Sequence, residues 1–107
     1  MSDTLSRLEA TIAARKGADP ATSYVASLFA KGRPRIARKL GEEAVEAIVA
    51  SLAEDKTALT GEAADLLFHL MVLLADTGIA FDDVLAELDR REGVSGHVEK
   101  AGRTVAP

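Results

Sequence analysis

Two pairs of acids stand out in this chain. Glu43 and Glu46 are three positions apart, and after fifteen intervening residues Glu62 and Asp65 repeat the spacing. At about 100° per residue, an i, i+3 pair lies along one side of an α-helix. Both pairs sit in apolar company. Ile36, Leu40, Ala47 and Ile48 mark one side of the first stretch, and the second runs through Leu66, Leu67, Phe68, Leu70, Met71, Val72, Leu73 and Leu74. Carboxylates pressed against apolar surface lose hydration and are costly unless compensated. Two facing helices would gather four of them, and a cation would then be needed. Hard divalent ions prefer oxygen ligands, and Mg²⁺ commonly keeps waters that substrate phosphates can replace. The pattern ExxE…ExxD therefore reads as a Mg²⁺ site between antiparallel helices, with Glu43, Glu46, Glu62 and Asp65 as ligands. The plainer alternative, that each pair decorates a solvated helix face, fits a lone ExxE better than two on apolar-rich helices.

The neighbouring residues suit a phosphate ligand. Lys39 shares an edge with Glu43 and Glu46, where its ammonium can balance the acids and touch a phosphate oxygen. Lys31 and Arg33 flank Gly32 just before a helix N-terminus, a place that favours anions. Arg35 and Arg38 have a simpler role available, pairing with acids at helical spacing. Glu42 points further from the apolar side, where it either orients a ligand or faces solvent. His69 follows Asp65 by one turn; it either supports a ligating carboxylate or is a core histidine satisfied by neighbours. Ser23 and Tyr24 read as a cap and a core aromatic, or as substrate contacts.

Helices must position these groups. The spacing predicts helices over Thr4–Lys16, Ser23–Lys31, Pro34 to about Glu54, Lys56–Thr77, and a last one capped by Asp82 and running to about Arg91. Gly17, Gly32 and Gly78 are the stop signals, and Pro34 suits a first turn. No segment alternates like a strand. The expected architecture is an all-α, up-and-down bundle of about four to five helices in one domain, residues 1–92, followed by a loose tail, residues 93–107. The Lys56–Thr77 helix is apolar almost all round and should be buried on every side. So few helices can hardly enclose it, so a homodimer is expected to complete the bundle.

The whole-chain properties narrow the setting. With 107 residues, a partner subunit would add useful buried surface. The net charge of -4 argues against broad nucleic-acid binding. The chain has no cysteine, which excludes a disulfide framework and a thiolate zinc site. The first ten residues have no apolar core, and the run Leu66–Ala75 is too short to span a bilayer. A cytoplasmic protein with no membrane role is expected.

The run Ser23-Tyr24-Val25-Ala26-Ser27-Leu28-Phe29-Ala30-Lys31-Gly32, then Ile36, Lys39, Gly41-Glu42-Glu43-Ala44 and Glu46, and later Glu62-Ala63-Ala64-Asp65-Leu66-Leu67-Phe68-His69-Leu70, form a combination. Together they resemble the phosphoribosyl-ATP pyrophosphatase family. The similarity runs from Leu5 to about Arg91. The ExxE and ExxD pairs alone mark only the wider all-α NTP pyrophosphatase (MazG-like) superfamily. The resemblance implies a dimeric helical bundle and Mg²⁺-dependent hydrolysis of phosphoribosyl-ATP to phosphoribosyl-AMP and pyrophosphate, the second step of histidine biosynthesis. It implies metal binding by Glu43, Glu46, Glu62 and Asp65; the site itself suggests Glu43 or Glu46 as the carboxylate that serves the attacking water. Read from their positions, Lys39, Lys31, Arg33, Ser23, Tyr24 and Glu42 are the expected substrate contacts, with His69 behind the ligands. Val25 stands where Thr is common, and Phe68 where Tyr is common. Two other readings stay open: a related pyrophosphatase acting on noncanonical nucleotides, and a non-catalytic helical interaction module.

Overall fold

A computed structural model of the chain describes residues 3–92. Five helices follow one another among the described residues, with no strand: α1 (Asp3–Ala14), α2 (Tyr24–Lys31), α3 (Arg33–Leu52), α4 (Lys56–Thr77) and α5 (Phe81–Arg91). The all-α expectation holds. The expected loose tail, 93–107, lies outside the described residues.

The dominant packing is an antiparallel hairpin of α3 and α4, with α1 laid against α4 and α2 against α3. Local chemistry sets the boundaries of these elements. The Ser23 hydroxyl caps α2 by accepting from Ala26 N–H at 3.1 Å. Gly32 closes α2 and opens α3 with φ 92°, a conformation disfavoured for residues with a Cβ. Its N–H bonds the carbonyls of Leu28 and Phe29. The Asp55 carboxylate caps α4 through Ala58 N–H at 2.9 Å. Left-handed Gly78 ends α4 and lets Ile79 N–H reach the Leu74 carbonyl at 2.9 Å.

The start of α5 differs from expectation. Ala80, not Asp82, occupies the N-cap position, and Asp82 falls inside the first turn. Alanine offers no side-chain acceptor there. The missing bond comes from another helix: Glu9 Oε2 accepts from Phe81 N–H at 2.7 Å.

Ile12, Val25, Leu28, Ile36, Met71, Val72 and Phe81 form the buried core, with Leu5, Leu8, Phe29, Leu67, Phe68 and Leu85 packed around it. Each fully buried aliphatic side chain contributes about 1.5–3 kcal/mol. The expectation that α4 is buried on every side is corrected for the single chain: only His69, Met71 and Val72 are buried along it. The other helices cover part of its circumference and no more. Taken over its full 22 residues, rather than the Leu66–Ala75 run, α4 is long and apolar enough to cross a membrane by length and composition. It packs instead along α3 and α1, and it carries Glu62, Asp65 and His69.

The α3 helix has two apolar faces. Ile36, Glu43 and Ala50 are buried on the inner one. On the other, Val45, Ile48, Val49 and Leu52 recur at i, i+3, i+4 and i+7, each more than half exposed. Ile48 therefore belongs to the outer stripe and not to the core face expected from the sequence.

Candidate metal centre

The α3–α4 hairpin brings three of the four expected carboxylates together. Glu43, Glu62 and Asp65 each offer one oxygen, and the three oxygens lie within 4.8 Å of one another. Glu43 is buried, Glu62 half-buried and Asp65 exposed. Glu46 is exposed on the same helix and stands outside this cluster.

The cluster is electrostatically unfavourable by itself. At an effective dielectric of about 20, each like-charge contact at this distance costs on the order of 3 kcal/mol. Glu43 Oε2 and Glu62 Oε2 are moreover buried without a hydrogen-bond partner. Buried acceptors are normally satisfied. A divalent cation would supply both the missing partner and the missing positive charge, so the donor set fits a hard metal ion.

One cation of the protein's own stands at the edge. Lys39 Nζ lies 3.6 Å from Glu43 Oε1 and 3.4 Å from Glu42 Oε2. Burial works against its charged form, but the Tyr24 phenol and the carboxylates of Glu42 and Glu43 outweigh that and hold its pKa above the usual lysine range. Glu42 also faces Arg38 at 3.8 Å and is exposed.

Tyr24 and His69 form a bonded pair anchored on the Asp65 backbone. Tyr24 Oη is 2.9 Å from His69 Nε2, and His69 Nδ1 is 2.7 Å from the Asp65 main-chain carbonyl. His69 thus bonds the backbone of Asp65, not its carboxylate. The Tyr24 ring packs on Phe68 at 6.3 Å between centroids, and Phe68 meets His69 edge-on at 5.1 Å.

The other residues expected to touch substrate have their own settings. The Ser23 hydroxyl is occupied as the α2 cap. Lys31 is exposed at the end of α2. Arg33 reaches Asp76 at the far end of α4, with Nε 2.8 Å from Oδ2 and a further bond to the Asp76 carbonyl. That pair ties the start of α3 to the end of α4. Sequence reasoning missed this pair, the Glu9 cap and the Tyr24–His69 bond. No local signal marks partners 43, 72 and 45 positions apart.

Comparison with known proteins gives the family. The family model of phosphoribosyl-ATP pyrophosphohydrolase matches residues 5–92. The chain belongs to this family. It is 70% identical to a phosphoribosyl-ATP pyrophosphatase of Rhizorhabdus wittichii, covering 96% of this chain and 97% of the relative. It is 62% identical to one of Sphingopyxis alaskensis, over 96% and 95% of the two chains. It is 59% identical to one of Zymomonas mobilis, over 94% of each. With relatives of that name over nearly its whole length, the chain is a hydrolase acting on a phosphoric anhydride bond. Within this chain the two unusual residues have packing roles: Val25 is in the core, and Phe68 packs against both Tyr24 and His69.

Proposed function

We propose that this chain hydrolyses phosphoribosyl-ATP to phosphoribosyl-AMP and pyrophosphate, in the cytoplasm, as a step of histidine biosynthesis. The observation that carries the reading is the orphaned pair of buried oxygens, Glu43 Oε2 and Glu62 Oε2, in a three-carboxylate cluster of a family member.

Glu43, Glu62 and Asp65 would hold Mg²⁺, with Glu46 joining from its exposed position on α3. Bound there, the metal supplies charge neutralisation for the phosphate oxygens and the leaving pyrophosphate. The protein supplies the rest. Lys39, fixed by Glu42 and Glu43, presents an ammonium to the polyphosphate, and the exposed Lys31 adds a second one. Glu46 or Glu43 orients the attacking water and takes its proton. The water oxygen bonds to phosphorus as the anhydride oxygen departs with pyrophosphate.

The exposed stripe Val45, Ile48, Val49 and Leu52, together with the half-buried flank of α4, supports a homodimer as the working unit. Such a contiguous apolar face is unusual on a monomer.

The test is pyrophosphate release from phosphoribosyl-ATP with Mg²⁺, alongside a panel of nucleoside triphosphates. Release from phosphoribosyl-ATP is expected. Release from the panel alone would transfer the site to a nucleotide house-cleaning reaction.

A further inference from the structure

Five cations stand from Lys31 to Lys39, and the fold gives acid partners to three of them. Arg33 is bonded to Asp76, Arg38 faces Glu42, and Lys39 faces Glu42 and Glu43. Lys31 and Arg35 have no ion pair or side-chain hydrogen bond among the described residues. Lys31 is exposed, whereas Arg35 is half-buried. The expected pairing of Arg35 with an acid at helical spacing is thus corrected: three and four positions ahead of it on α3 stand Arg38 and Lys39. Like charges at that spacing repel. A cation in the first turn also opposes the helix dipole, and α3 opens on Arg33 and Arg35 with no acid in that turn. Nothing within the described chain offsets the charge of Arg35. A bound anion would.

The position of Arg35 says which anion. Arg35, Lys39 and Glu43 follow one another at four-residue steps, so they share one side of α3. Lys39 is one turn from Glu43, about 6 Å along the axis, and Arg35 is two turns away, about 12 Å. Helical side chains lean toward the N-terminus, which carries Arg35 further from the carboxylates. Lys39 is therefore the cation for the phosphates at the cluster, and Arg35 meets a group further along the substrate. Phosphoribosyl-ATP carries such a group. The 5′-phosphate of its added ribosyl unit lies at the end of the molecule away from the anhydride that is cut.

We propose that Arg35 selects the substrate by holding the 5′-phosphate of the phosphoribosyl unit, while Lys39 serves the polyphosphate. A guanidinium fork matches phosphate oxygens two at a time. An ordinary nucleoside triphosphate has no phosphate at that end and leaves Arg35 unpaired, so one contact separates the two substrate classes. This inference rests on the reading of the chain as a phosphoribosyl-ATP hydrolase.

The test compares phosphoribosyl-ATP with an analogue lacking the 5′-phosphate, each assayed by pyrophosphate release with Mg²⁺. The wild-type protein should prefer the full substrate by about tenfold to a hundredfold in kcat/KM, the worth of a charge-assisted contact, mainly through KM. Arg35→Gln should lose that preference on the full substrate and cost nothing further on the analogue. Arg35→Lys, which keeps the charge without the fork, should fall between. The urea midpoint of Arg35→Gln should hold or rise, since a repelled charge has been removed. Equal losses on both compounds would place Arg35 on the polyphosphate and overturn the proposal. So would a lowered midpoint with the preference intact, which would make Arg35 a packing residue. Wild-type hydrolysis of both compounds at the same kcat/KM would remove the proposal alone. Hydrolysis of nucleoside triphosphates but of neither compound would remove the reading of the function and the proposal with it.

Discussion

Glu9 of α1 caps α5: its Oε2 accepts from Phe81 N–H at 2.7 Å, across 72 positions of sequence. Ala80 leaves the helix start without a side-chain acceptor, and the carboxylate supplies the bond and meets the positive end of the helix dipole. Glu9→Ala should therefore cost about 1 kcal/mol of stability, measured by urea unfolding, with activity per folded molecule retained. An unchanged midpoint would mean that solvent satisfies the helix start equally well.

The Arg33–Asp76 pair ties the start of α3 to the end of α4 at the open end of the hairpin, with Asp76 largely covered and Arg33 more exposed. Arg33→Ala and Asp76→Ala should each destabilise by about 0.5–1 kcal/mol, and a double-mutant cycle should give a coupling of similar size. Strict additivity would show that the pair contributes nothing. Arg33 was read from the sequence as a phosphate contact beside a helix start; its acid partner is visible only once α4 is folded back on α3.

Removing a carboxylate from the cluster should have opposite effects on stability and activity. Glu62→Gln relieves like-charge repulsion with Glu43 and Asp65, so the metal-free protein should gain up to about 1–3 kcal/mol, while turnover should fall by at least a hundredfold. Asp65→Asn should behave similarly but more weakly in stability, because Asp65 is exposed. Chelation with EDTA should abolish turnover, and added Mg²⁺ should restore it. Turnover that survives both substitutions would remove these residues from the chemistry.

The outer stripe of α3 predicts the assembly. Ile48→Asp or Leu52→Asp places a charge in the middle of the apolar face and should convert a dimer to a monomer in sedimentation experiments at micromolar concentration. A wild-type protein that already sediments as a monomer would leave the stripe without that role.

Glu87 sets one pH response. Hydrogen bonds from Arg90 and Arg91, against a smaller opposing effect of burial, hold its pKa down to about 2, from the ordinary 4.5. A depressed carboxylate stabilises the native state above its unfolded pKa, and that stability is lost as pH falls from about 4.5 toward about 2. The Glu87 side-chain carbon, followed by NMR, should titrate near about 2, and Arg90→Gln should move the midpoint upward. Lys39 has the opposite sign: its raised pKa means stabilisation below the ordinary lysine range that disappears as pH rises through the folded value.

The sequence by itself determined the helices and most of their ends, because helical periodicity, Ser23, Asp55, Gly32 and Gly78 act over a few residues of chain. It also marked Glu43, Glu62 and Asp65, since acids at i, i+3 spacing on apolar helices are visible without coordinates. Tertiary structure alone decided which of those acids converge, leaving Glu46 outside the three-oxygen cluster. It decided that Ile48 faces outward and that α4 is covered on only part of its surface. It also set the partners of Glu9, Arg33 and His69. The physical reason is range: caps and periodicity are local, whereas an ion pair or hydrogen bond between residues 43 to 72 positions apart depends on how whole helices pack. The acidic pairs were legible because their type and spacing are local; the pairing of Tyr24 with His69 was not, because it exists only where α2 crosses α4.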